Sequence, residues 1–245
     1  LLVTTFLRDA TLYKTIQSII DNQPDNCIVL IADQGYRTDE KSITYDYFKS
    51  QINCEVHYLP FDCGLSYARN YLVNRAKELE CKYCLISSDS IQFTEKYNFE
   101  PIIELLESNE EYGLCGFELE NSKAAWEFNL EVKPDGIHFI PSENIVSFNG
   151  RIYRIVEICR NIFLAKTEAL IKNTWDNELK LGEHEKFFID LKQINYKVLW
   201  TDSIKFKKSN AAGSEEYKEY RKRLGNYLKL LRQKLNISGW VVYDK

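Results

Sequence analysis

Residues 84–93 read CLISSDSIQF. The run opens as an apolar strand, sets three serines around one carboxylate and turns apolar again. An acid placed where a core strand ends belongs to the rim of a sheet, which is where parallel α/β sheets hold their ligands. The segments before it repeat the arrangement. LLVTTFL (1–7) is short, apolar and β-branched, with Thr5 and Arg8 at its end. CIVLIADQG (27–35) is a continuous apolar run closed by Asp33 and Gly35. EVHYLPF (55–61) is followed by Asp62 and Gly64. Strands without polar alternation suit a sheet covered on both faces.

Helical patterns lie between them. ATLYKTIQSIIDNQ (10–23) is apolar at Leu12, Ile16, Ile19 and Ile20, with Asp9 as candidate N-cap. GLSYARNYLVNRAKEL (64–79) sets Ala68, Leu72 and Ala76 on one face. The succession predicts an α/β fold, a Rossmann-type and mostly parallel sheet flanked by helices. In that fold Thr5, Arg8, Asp33, Asp62, Gly64 and Asp89 converge on one rim. Further on, YGLCGFELE (112–120), KAAWEFNLEV (123–132) and YKVLW (196–200) read as strands, and GEHEKFFIDLKQIN (182–195) as a helix burying Phe187, Phe188 and Leu191. The tail, YRKRLGNYLKLLRQKL (220–235), reads as one basic amphipathic helix packed on the body, with a membrane surface as its other candidate partner.

The 245 residues suit one large domain, and 44% hydrophobic with 28% charged residues is the composition of a soluble globular protein. A net charge of −4 gives no electrostatic case for nucleic acid. The 7 cysteines are odd in number and scattered, which reads as reduced thiols in a cytoplasmic setting. Cys81 and Cys84 form a CxxC, but no second pair completes a zinc site. The chain starts without Met inside an apparent strand, so the expectation is one part of a longer chain.

Four segments in order resemble the family 2-type glycosyltransferases of the GT-A fold: VTTFLRDATLYKTIQSI (3–19), VLIADQG (29–35), DCGLSYARNYLVNRA (62–76) and WDNELKLGEHEKFFIDLKQINYKVLW (175–200). The last is similar to the acidic acceptor-side helix of a Gly-Glu-His-Glu subgroup. The resemblance implies transfer of a sugar from a nucleotide diphosphate donor, a UDP-sugar first, to a hydroxyl of a glycan acceptor, with inversion. It divides the chain into a GT-A-like domain over 1–205 and a C-terminal helical extension over 206–245. Within the domain, 1–95 is the donor half and 96–205 the acceptor and catalytic half. The donor set is Thr5, Arg8, Asp33, Asp62, Gly64, Arg69, Ser88, Asp89 and Ser90. Asp33 would accept from a uracil N–H, the forked donors of Arg8 and Arg69 would meet phosphate or ribose oxygens, and Gly64 would allow a close backbone approach. Trp126 and Trp175 are either sugar platforms or core.

Inversion needs a carboxylate to take the acceptor's proton. Glu183, His184 and Glu185 stand at the start of the acidic helix. Many relatives carry Glu-Asp here, and His184 occupies the second position. Glu183 or Glu185 is the expected base, with the other holding the acceptor hydroxyl and His184 third. The resemblance also implies a divalent cation, Mn²⁺ or Mg²⁺, on the donor diphosphate. Serines replace both acids that would flank Asp89, leaving it the one candidate ligand, and Asp202 rather than a histidine follows the last strand. Three readings compete: a weak metal site on Asp89, stabilisation of the leaving group by Arg8, Arg151 or Lys208, or a catalytically inactive nucleotide- or carbohydrate-binding domain. A nucleotidyltransferase is disfavoured, since no Gly-rich phosphate loop with Lys occurs early in the chain.

Overall fold

Apolar strands with no solvent side need cover on both faces, and the chain supplies it from alternating helices. The computed structural model describes residues 1–120, 128–209 and 213–243. Its first half runs β1 (Leu2–Thr5), α1 (Asp9–Asp21), β2 (Val29–Asp33), α2 (Asp39–Gln51), β3 (Cys54–Tyr58), α3 (Leu65–Glu78), β4 (Tyr83–Ser88) and β5 (Ile91–Gln92). Then come α4 (Glu100–Glu107), β6 (Tyr112–Glu120), β7 (Phe128–Lys133), β8 (Gly136–Pro141), β9 (Ile145–Phe148), β10 (Arg151–Val156), β11 (Phe163–Lys166) and α5 (Thr167–Lys172). The chain closes with α6 (His184–Gln193), β12 (Lys197–Lys208), α7 (Glu215–Lys222), α8 (Leu224–Leu235) and β13 (Val241–Tyr243).

The main sheet has the order β3-β2-β1-β4-β11-β6-β12-β10-β9, with β5 pairing β12. The expected α/β sheet is there, and its first four strands are parallel. Beyond β4 it is mixed, because β11 runs antiparallel to both β4 and β6 while β12 is parallel to β6. Alternate residues of β1 feed two cores. Leu1 and Val3 join Leu12, Ile16 and Phe48 on one face, and Leu2 joins Ala68, Leu72 and Phe187 on the other.

Several elements differ from the sequence reading. Asp9 is not the cap of α1: Arg8 occupies that position without a side-chain cap bond, and Asp9 lies in the first turn. Helix α2 had no reading at all, although parallel β2 and β3 require a crossover. Its buried face holds Lys41, Tyr45 and Phe48, so a charged residue interrupts the apolar stripe. Lys41 is 2% exposed, and its ammonium lies 2.9 Å from Asp33 and 3.0 Å from Asp9. Strand β12 runs past residue 200 to Lys208, with an irregularity between Thr201 and Lys205. The tail is two helices and a strand, and β13 extends β8 of a three-stranded sheet. The apolar stripe of α8 faces the body: Leu231 is fully buried, and Leu228 lies where a Cβ on Gly182 would meet it. No helix of the described residues is long and apolar enough to cross a membrane. The strand predicted over 123–132 is observed from Phe128; its earlier part, with Trp126, lies outside the described residues.

Asp33 is fully buried and its carboxylate depends on Lys41 for charge. Removing one partner of such a pair leaves the other charge uncompensated, at about 3–5 kcal/mol. Lys41→Met should lower unfolding stability by that order in a denaturant titration, and Asp33→Asn/Lys41→Met should lose less. Stability equal to wild type in the single variant would remove Lys41 from this role.

Candidate functional site

The carboxyl ends of β1, β2 and β4 open onto a cavity of about 350 Å³. Its floor is built around Asp89, which sits immediately past β4 and is 5% exposed. Arg8 Nη1 donates to Asp89 Oδ1 at 2.8 Å, Thr5 Oγ1 donates to Oδ2 at 3.0 Å, and Thr15 Oγ1 donates to the Asp89 carbonyl at 2.8 Å. Burial pushes the Asp89 carboxyl up to about 6, and Arg8 limits the rise. Ser88 lines the cavity, whereas Ser90 is buried behind it, 3.1 Å from Ser88 hydroxyl to hydroxyl.

The opposite wall begins at Gly64, whose φ of +98° is open to glycine. A Cβ here would stand 2.6 Å from Lys180 Cγ. The Gly64 N–H donates to Gln34 Oε1 at 2.8 Å, which ties the end of β2 to the start of α3. Asp62 accepts from Lys180 Nζ at 3.2 Å and from Arg223 Nη2 at 2.9 Å. Arg69 reaches the cavity from α3 and donates to Glu183 Oε1 at 2.7 Å. Among the described residues, Arg8, Arg69, Lys180, Lys208, Arg221 and Arg223 face the cavity against Asp62 and Asp89, so its field is positive. Buried polar atoms on its lining residues, Thr4 Oγ1, Arg69 Nε and Asn161 Oδ1, have no hydrogen-bond partner among the described residues.

Residues 1–150 match the family described as Glycosyl transferase family 2. The chain belongs to that family. Its backbone is the GT-A fold, as the solved structures that resemble it show. Staphylococcus aureus TarS 1–349 in complex with UDP-GlcNAc superposes with a TM-score of 0.62 at 12% identity, over 95% of this chain and 65% of that one. GalNAc-T7 with UDP, GalNAc and Mn²⁺ gives 0.62 at 14% identity, over 97% and 54%. The mannosyltransferase PcManGT of Pyrobaculum calidifontis with GDP-Man and Mn²⁺ gives 0.63 at 11%, over 94% and 63%. The chain thus spans 54–65% of the length of these three solved chains.

The cavity gathers Thr5, Arg8, Asp62, Gly64, Arg69, Ser88 and Asp89 from the expected donor set. Asp33 is elsewhere: its oxygens accept from the Gly35 N–H, Lys41 Nζ and Tyr45 hydroxyl at 2.7–2.9 Å, with no side-chain exposure. Its carboxylate holds the β2 turn in shape and is spent doing so. Gln34, one residue on, takes the cavity position. Arg151 pairs with Phe148 on the edge hairpin and is not on the cavity wall, and neither is Asp202. Trp175 is 2% exposed and stacks on Phe187 at 4.2 Å, with Arg69 over its ring at 5.3 Å, so it is core and not a sugar platform. Tyr217, Tyr220, Arg221 and Arg223 of the tail line the cavity, and the sequence reading had not placed them there. The basic pairs RK and KR at 221–223 were the available signal.

A divalent cation fits this donor set poorly. Both Asp89 oxygens already accept hydrogen bonds, Asp62 is held by two cations, and the described residues contain no cluster of three or more His, Cys, Asp or Glu. Behind Arg69, the acidic turn separates into distinct environments. Glu183 is ion-paired. His184 is held down to about 3, chiefly by burial and then by Arg69, which leaves it neutral at pH 7. Glu185 is pushed up to about 7 by burial, with Glu183 adding to the rise. A larger groove of about 940 Å³ lies at the other end of the sheet, by Lys82, Lys166 and Tyr196, where charges of both signs alternate.

A carboxyl that is easier to protonate folded than unfolded stabilises below its unfolded value and loses that contribution as pH rises through its folded one. For Glu185 the window runs from 4.5 to about 7. Across it, Glu185→Gln should gain roughly 3 kcal/mol relative to wild type in denaturant titrations. A pH-independent difference would show that Glu185 is not the buried titrating group.

Proposed function

We propose that this chain binds a nucleotide-sugar, a UDP-sugar first, in the Asp89 cavity and transfers the sugar with inversion to a hydroxyl of a glycan acceptor. The carrying observation is the cavity's charge: several cations and unpaired buried polar atoms gathered at the strand ends, where a diphosphate and its sugar need donors. The similar structures hold UDP, UDP-GlcNAc or GDP-Man, which supports the donor class. Residues 1–95 supply most of the donor walls. Residues 96–205, with the Gly-Glu-His-Glu turn, are the acceptor and catalytic half in this reading.

In the reaction the acceptor oxygen bonds to the anomeric carbon as the bond to the diphosphate breaks on the other side. The acceptor proton passes to a carboxylate, and the nucleoside diphosphate leaves with the electron pair. Glu183 is the base we favour on position, because its carboxylate touches Arg69 of the cavity wall. Glu185 then shapes the acceptor side, and neutral His184 packs edge-on against Phe188. The ion pair on Glu183 favours one second reading, a domain that binds donor without turning it over.

The test is nucleotide release from a panel of UDP- and GDP-sugars, with water and then oligosaccharides as acceptors. Wild type should release nucleotide from one donor. Glu183→Gln should lower that rate about 10²-fold or more with donor affinity kept within a few-fold. If Glu185→Gln abolishes release while Glu183→Gln is active, the two acids exchange roles. Donor binding without release from any sugar would establish the inactive binding domain.

A further inference from the structure

Resting on the nucleotide-sugar reading, we propose that the donor's diphosphate is neutralised by fixed cations, Lys208 and Arg221 from the C-terminal region, over a floor where Arg8 is already paired with Asp89, in place of a divalent metal. Asp89 is the one acid at the end of β4, and it already has its cation. Arg8 lies 2.8 Å from Oδ1 while Thr5 fills Oδ2. A metal on Asp89 would have to displace these donors and sit beside a guanidinium of like charge. The flanking residues Ser88 and Ser90 bring no charge to hold it there.

The tail supplies what the missing acids cannot recruit. Helix α7 has no buried residue and lies across the cavity through its side chains. Ser214 accepts from the Tyr217 N–H and caps its start, and Glu215 and Glu216 occupy the first turn. The Tyr36 hydroxyl donates to Glu216 at 2.7 Å. The Tyr220 ring meets Phe6 edge-on at 5.0 Å and Phe61 at 5.8 Å, and the Tyr217 ring lies 5.3 Å from the Arg8 guanidinium carbon. These contacts point the cationic end of α7 at the cavity. Arg223 there is committed to Asp62. Arg221 and Lys208 are exposed and make no ion pair with any described residue, yet both line the cavity. Two uncommitted cations and one built-in guanidinium on the walls of one cavity make a site for a diphosphate that carries two negative charges in the donor and a third as it leaves. The tail is therefore part of the donor site, and Arg221 is assigned to the outer phosphate, which a nucleoside monophosphate lacks.

The experiment is calorimetric titration of the full chain with UDP, UMP, GDP and GMP, in EDTA and then in Mn²⁺. One diphosphate should bind in EDTA with an affinity within about threefold of that in Mn²⁺, a difference well under the tenfold that 1.4 kcal/mol represents. Arg221→Gln and Lys208→Gln, both at exposed positions, should each weaken that diphosphate about tenfold, the scale of one charge-assisted hydrogen bond, and its monophosphate much less. Arg8→Gln strips Asp89 of its partner and so tests folding as well as binding; the two exposed variants are free of that ambiguity. Binding that requires Mn²⁺, or that ignores both exposed variants, would overturn the inference and leave the donor reading standing. No binding of either diphosphate under either condition would overturn both.

Discussion

A carboxylate at the end of a buried strand must find positive charge inside the protein, and Asp89 finds it in Arg8. That contact joins the end of β4 to the start of α1, while Thr5 brings β1 to the same carboxylate and Thr15 brings the α1 interior to the Asp89 backbone carbonyl. Much of the site follows from it. Arg8 is fixed at the floor of the cavity, its guanidinium meets the Tyr217 ring, and the α7 helix has a surface to lie on. With the acid satisfied from within, the cavity keeps a positive field for an anionic ligand.

The second constraint couples the halves of the molecule. Arg69 and Glu183 lie 114 residues apart and are both nearly fully buried, at 2% and 4% exposure. Such a pair adds little net stability, because desolvation of the two charges offsets their attraction. Its effect here is geometric: it holds the start of α6 against α3. The Gly64–Lys180 contact, too close for any side chain at 64, repeats the coupling a few residues away. Donor wall and acidic turn are thereby held in one arrangement.

The family resemblance and the local chemistry part company at the strand ends. In family 2 enzymes acids there are expected to face the donor or its metal. In this chain Asp33 turns inward to Lys41 and Tyr45, and Asp89 turns to Arg8 and Thr5. Both strand-end carboxylates are thus satisfied from within, and the cavity lining is left predominantly cationic. The similar structures share this backbone at 11–14% identity.

The α/β character, the parallel start of the sheet and the rim of polar residues were legible in the sequence, because continuous apolar strands and 3.6-residue stripes are local signals. So were Thr5, Arg8, Asp62, Gly64 and Asp89 as neighbours, since parallel topology alone brings strand ends together. Helix α2 was hidden because its inward face carries Lys41, a residue that looks solvent-exposed until Asp33 is known to lie beneath it. The direction of each carboxylate was likewise invisible: Asp33 and Asp89 have the same strand-end setting in sequence, and only packing decides that the first never meets the cavity. The basic run at 221–223 was visible in the sequence, but where the tail docks was not. What docks α7 over the cavity is a set of contacts to Phe6, Tyr36, Phe61 and Asp62, roughly 160 to 215 residues earlier in the chain. Local patterning determined the scaffold, and long-range charge pairing decided what the site presents to its ligand.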